Sequence, residues 1–148
     1  MIKPYTFSIC DTMTWVLDTG SPINICNSLQ GLQVSESFEE GERFLNVGDG
    51  RSVPVLALGI IKLVFDSQVV ILNDCHFCPT FLLNIISVGL LTKRYKISIK
   101  KNICDIVYDG VTIFFGYLNN DIYVVSWSCI MNTSSKRPRI KDVSNVYL

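Results

Sequence analysis

Apolar positions along this chain come in short runs rich in Val, Ile, Phe and Tyr, and the runs are closed by Gly, Asn or Asp. That punctuation belongs to strands, because β-branched and aromatic side chains suit a pleated surface and the closing residues suit turns. The pattern predicts strands over residues 14–17, 43–47, 53–65, 68–72, 75–78, 95–100, 104–108, 111–116 and 122–127. One short helix is predicted over residues 87–93, where Ser87 caps the first turn and Lys93 and Arg94 lie near the carbonyl end. The chain therefore reads as all-β, mainly strand with a single short helix.

Three turns give that reading its order. Gly48-Asp49-Gly50-Arg51 separates two strands, with glycines that tolerate the positive φ of a tight hairpin. Tyr108-Asp109-Gly110-Val111 sets Asp-Gly between two apolar runs, and Leu118-Asn119-Asn120-Asp121 is a looser third case. The C-terminal third is thus a β-meander. From residue 132 the sequence turns polar and basic, around Lys136, Arg137, Pro138, Arg139 and Lys141. We read residues 132–148 as a flexible solvated tail and residues 1–131 as one domain. A nuclear-localisation or RNA-contact role for the tail is the weaker reading.

Composition narrows the classes. The chain has 148 residues, which suits one domain of the usual ~100–200 residues. Hydrophobic residues at 49% and charged residues at 18% exclude disorder over most of it. Thirteen Lys+Arg balance thirteen Asp+Glu, so no whole-domain footprint for nucleic acid or anionic lipid is expected. No run approaches the ~20 apolar residues of a membrane helix, and the N-terminus lacks a signal-peptide core. The expected compartment is intracellular, cytoplasmic or nuclear, with no membrane partner. Six cysteines are scattered, and in a reducing compartment they read as small buried hydrophobes.

The candidate chemistry begins at Trp15-Val16-Leu17-Asp18-Thr19-Gly20-Ser21, where an apolar strand runs into an acid, a hydroxyl and a glycine. A buried strand end delivers the Asp18 carboxylate, and Gly20 lets the backbone turn beside it. Asp-Thr-Gly is also an ordinary strand-ending turn, so a second landmark is needed. Phe81-Leu82-Leu83-Asn84-Ile85-Ile86-Ser87 supplies one, an apolar pair and a small residue entering the short helix. Cys75-His76-Phe77-Cys78 is the rival, half of a zinc site by spacing. It lacks a second Cys-x-x-Cys, and strand alternation sends Cys75 and Phe77 to one face and His76 and Cys78 to the other. A buried or edge strand is therefore preferred, with no metal and no cofactor expected. Phe114, Phe115, Tyr117, Tyr123 and Trp127 read as core or interface rather than a base-stacking platform.

Taken in order, WVLDTGSP, VGDGRSVPVLALGIIKLVF and ILNDCHFCPTFLLNIISVGLL resemble the retropepsin-like β-barrel protease region of copia-type LTR-retrotransposon Pol polyproteins. IFFGYLNNDIYVV is similar to the segment that leads towards the integrase there, here about residues 110–131. The resemblance implies a retropepsin-like barrel with Asp18 as catalytic aspartate, Thr19 as the hydroxyl bracing paired loops and Gly20 as the turn glycine. It implies a flap over substrate at Gly48, Asp49, Gly50, Arg51 and Ser52, and a packing motif at Asn84, Ile85, Ile86 and Ser87. Asn24 stands where many copia-type sequences carry a His. Because the chain holds one Asp-Thr-Gly and such enzymes need two carboxylates sharing a proton, the resemblance implies a homodimer cleaving an extended peptide or polyprotein. Two other readings remain open at this point: an inactive or domesticated β-barrel serving as an interaction module, and a zinc module at Cys75, His76 and Cys78.

Overall fold

The computed structural model describes residues 14–65 and 68–126. Its elements in chain order are β1 (Thr14–Asp18), β2 (Ile25–Cys26), β3 (Leu32–Ser37), β4 (Phe44–Asn46), β5 (Ser52–Pro54), β6 (Ala57–Phe65), β7 (Gln68–Phe77), β8 (Asn84–Ser87), α1 (Val88–Leu91), β9 (Lys96–Lys100), β10 (Ile103–Tyr108), β11 (Val111–Asn119) and β12 (Ile122–Ser126). The fold is all-β, and no helix among the described residues is long and apolar enough to cross a membrane.

Ten strands form one mixed sheet in the order β3-β6-β7-β2-β8-β1-β12-β11-β10-β9, while β4 and β5 make a separate hairpin. The sheet rolls onto itself. Ile61, Leu63, Val70 and Leu72 from one end of the strand order share a buried cluster with Ile106, Ile113 and Phe114 from the other end. Phe65 stacks on Phe114 with ring centroids 4.6 Å apart. Alternation explains the roll: on β6, residues Ala57, Gly59, Ile61 and Leu63 are buried while Lys62 between them is exposed. A second, smaller cluster of Ile25, Val53, Val55 and Cys78 lies beneath the β4–β5 hairpin.

At the centre of the sheet β1 runs parallel to β8 and antiparallel to β12. β11 and β12 are therefore integral to the sheet rather than an appendage, since β12 supplies the second hydrogen-bonding neighbour of the strand that ends at Asp18. Gly116 gives close packing of β11 on β1, since a Cβ there would meet Leu17 Cδ1 at 2.8 Å and make that side chain shift.

Several sequence expectations need correction. The strand expected over residues 53–65 is two, β5 and β6. Its backbone changes partner between them, Val55 N–H bonding to Arg43 O and Leu56 N–H to Phe77 O. The two strands expected over 68–72 and 75–78 are one, β7. Asn73 and Asp74 form a bulge opposite Ile60, with Asp74 at φ 48°. Strands β2, β3 and β8 were not expected, and α1 is shorter than residues 87–93, although Ser87 does cap it. The expected positive φ in the first hairpin falls on Gly50 (89°) and not on Gly48. Residues 127 and beyond, including the basic tail, lie outside the described residues, as do residues 1–13.

Candidate functional site

β1 delivers Asp18 to the lining of a cleft of about 720 Å³. Trp15, Val16 and Leu17 are buried on the way, whereas Asp18 is half-buried and Thr19 and Gly20 are exposed. The carboxylate is held locally: Gly20 N–H donates to Asp18 Oδ1 at 2.7 Å. The role of Gly20 is thus space and a donor rather than a positive φ, since a Cβ there would stand 3.3 Å from that same oxygen.

The loop after Asp18 is fastened to β8. Asp18 and Ser87 are register partners on the parallel strands β1 and β8. Ser87 Oγ donates to Ser21 O at 2.6 Å, and Ser87 N–H donates to Asn24 Oδ1 at 2.8 Å. Ser87 Oγ also accepts from Leu90 N–H at 3.2 Å, capping α1. Further along β8, Asn84 Oδ1 accepts from Asn27 N–H at 2.9 Å and its amide nitrogen donates to Thr14 O at 3.1 Å. Ile86 is buried in the main core, and Ile85 lines the cleft. Asn84, Ile85, Ile86 and Ser87 are therefore brought against the Asp18 strand.

The β4–β5 hairpin lines the same cleft. Its tip is tied by Val47 N–H to Arg51 O and by Gly50 N–H to Val47 O, each 2.9 Å. Asp49 accepts from Arg51 twice, from the backbone N–H at 3.0 Å and from Nε at 2.7 Å. These two bonds and the guanidinium charge hold the Asp49 carboxyl below the usual carboxylate range. Ser52 Oγ closes the hairpin base on Asn46 Oδ1 at 3.0 Å. Gly48, Asp49 and Arg51 line the cleft, while Gly50 and Ser52 do not.

The rest of the lining is mostly apolar, from Ile23 and Ile25, from Leu45, Val47 and Val53 of the hairpin, and from Phe81, Leu82 and Leu83 on the loop before β8. None of these was singled out as a cleft residue in the sequence. Leu82, 82% exposed, leaves an open apolar rim.

Cys75, His76 and Cys78 do not converge. Cys75 and Phe77 join the main core and Cys78 the smaller cluster, while His76 Nδ1 lies 2.8 Å from Asp74 O. Among the described residues no three metal-ligating side chains gather. Burial pushes the Cys78 thiol up to about 12, and contact with Cys26 together with burial raises Cys75 as well.

The profile of the Pol polyprotein beta-barrel domain family matches residues 15–95, a span holding Asp18, the hairpin tip and Ser87 alike. The chain belongs to the Pol polyprotein beta-barrel domain family. No curated protein and no solved structure matches it significantly. The matched span of this Pol β-barrel domain includes the cleft-lining residues, whereas β9 through β12 follow it and complete the sheet. Asn24, Ser21, Asn46 and Thr80 are among the polar residues at the site that were given no role from the sequence. The one signal in the sequence was an amide inside the apolar run Ile23-Asn24-Ile25-Cys26.

Proposed function

We propose that this Pol β-barrel domain is the aspartic endopeptidase of a copia-type retrotransposon polyprotein, retropepsin-like in fold, and that it works as a homodimer. The observation that supports this most is that Asp18 and the tip residues Gly48, Asp49 and Arg51 line one largely apolar cleft. Asp49 is committed to Arg51, which leaves Asp18 as the carboxylate available to substrate among the described cleft residues. Two such carboxylates are needed to divide the roles of acid and base, so the second comes from another copy.

In this reading, Asp18 of one protomer accepts a proton from water while the protonated Asp18 of its partner donates a hydrogen bond to the scissile carbonyl oxygen. The water oxygen bonds to the carbonyl carbon, and the tetrahedral species collapses with the proton passing to the leaving amine. Thr19 braces the two loops, and the hairpin residues Gly48 to Ser52 close over the extended peptide. The peptide pairs through its main chain, and the apolar lining selects its side chains.

Dilution tests this. Each chain brings half of the site, so the rate per chain on a peptide substrate should fall steeply once sedimentation shows monomer. A rate per chain that stays constant into the monomer range contradicts the shared site, and a dimer without cleavage favours the interaction-module reading instead.

A further inference from the structure

We infer that Asn24 is a positioning residue for the Asp18 carboxylate, acting through Ser87. The inference rests on the reading of Asp18 as the reacting group. Asn24 and Ser87 are both buried, 3% and 0% exposed. A buried amide and a buried hydroxyl at one strand end must be matched closely, because each unmatched polar group costs free energy.

The two side chains form one path. Asn24 is pinned from β7, where the bulge carries Asn73 and Asp74: its backbone carbonyl accepts from His76 N–H at 2.9 Å, and its side-chain Nδ2 donates to Asn73 O at 3.4 Å. From that anchored position Asn24 Oδ1 takes the Ser87 N–H, which fixes the end of β8. Ser87 Oγ then takes hold of the Ser21 carbonyl. Ser21 follows Gly20 directly, so this bond anchors the loop one residue beyond the glycine whose N–H bonds Asp18 Oδ1. The path runs from the β7 bulge to the loop that carries the carboxylate, and the N–H and hydroxyl of Ser87 hold that loop at Asn24 and Ser21. A carboxylate aimed this way is oriented before substrate arrives, which is where positional precision counts in catalysis.

Asn84 provides the control. It is also buried, yet its bonds go to Asn27 N–H and Thr14 O, at the far end of β1 from Asp18. The experiment uses the full chain carrying Asn24→Leu, Ser87→Ala, Ser87→Thr or Asn84→Leu. Amide exchange at Gly20 and the carbon resonance of the Asp18 carboxyl are followed by NMR, with cleavage kinetics alongside. Positioning predicts that Asn24→Leu and Ser87→Ala speed Gly20 exchange about tenfold or more relative to core amides and move the Asp18 resonance. It predicts that Ser87→Thr, which keeps the hydroxyl, restores both, and that Asn84→Leu moves neither. It also predicts a kcat lowered about 10–100-fold with KM little changed. Should Asn24→Leu fail to fold, Ser87→Ala, which removes only the hydroxyl, carries the test alone. Gly20 and Asp18 signals unchanged in Asn24→Leu and Ser87→Ala, or disturbed equally by Asn84→Leu, overturn the inference. A wild type that cleaves nothing while these signals respond as predicted leaves the positioning intact and counts against the protease reading alone.

Discussion

Asn84 accepts the Asn27 N–H at 2.9 Å and so joins β8 to the segment that follows β2. Its amide nitrogen bonds Thr14 O, so one buried side chain spans three stretches of backbone brought together from 70 residues apart. Asn84→Leu, similar in volume, should cost about 1–3 kcal/mol for each backbone group left unpaired. Thermal or urea unfolding of the variant against the wild type measures this, and an unchanged midpoint would show that these bonds do not hold the sheet.

The hairpin tip should loosen in acid. Asp49 is held below the usual carboxylate range by the Arg51 N–H first and the guanidinium second. A group with a lowered folded value contributes its stability above its unfolded value and loses it as pH falls through the folded one. The Arg51 N–H and Nε–H resonances should therefore stay constant from neutral pH down through the ordinary carboxylate range and change below it. Asp49→Asn should remove that transition. The effect on global stability should be slight, because both side chains are largely exposed.

Cysteine reactivity should report the roll of the sheet. Cys75, Cys78 and Cys104 are buried and burial contributes to raising each thiol. Since the thiolate is the nucleophile, these three should resist alkylation near pH 8 in the folded protein and react at once when it unfolds. Peptide mapping after brief iodoacetamide treatment checks it, and rapid labelling of Cys75 in the folded state would contradict the packing of β7.

Gly20→Ala should separate activity from fold. The added Cβ would sit 3.3 Å from Asp18 Oδ1, so the carboxylate must shift by tenths of an ångström while the exposed turn itself has room. Cleavage should fall about tenfold or more with the unfolding midpoint nearly unchanged. Equal activity in the two proteins would mean that the orientation of Asp18 matters less than its presence.

Much of this architecture could be read from the chain, and the misses have physical causes. Asp109 and Gly110 at φ 51° and 77°, and Asn120 and Asp121 at 53° and 68°, form the turns that their residue types announce. Strand β3, Leu-Gln-Val-Ser-Glu-Ser, lies at the sheet edge with only Leu32 half-buried, so its apolar alternation stops at Val34 and is too short to detect. Strand β2 is two residues long, held by neighbours rather than by propensity. In β7 the pair Asn73-Asp74 looks like a strand end because a bulge uses turn residues. At the site, Asp18 was visible because Asp-Thr-Gly is contiguous. Asn24 was not, because its partner Ser87 lies 63 residues away and only the fold brings them together.

The central claim is that Asp18 performs the chemistry, and Asp18→Asn tests it most directly. The amide is nearly the size of the carboxylate but can neither accept a proton from water nor share one with a second copy. Incubated with an extended peptide at a concentration where the wild type is dimeric, the wild type should cleave and Asp18→Asn should not, while both unfold at similar temperatures. Cleavage that persists in Asp18→Asn at the wild-type rate would contradict the account.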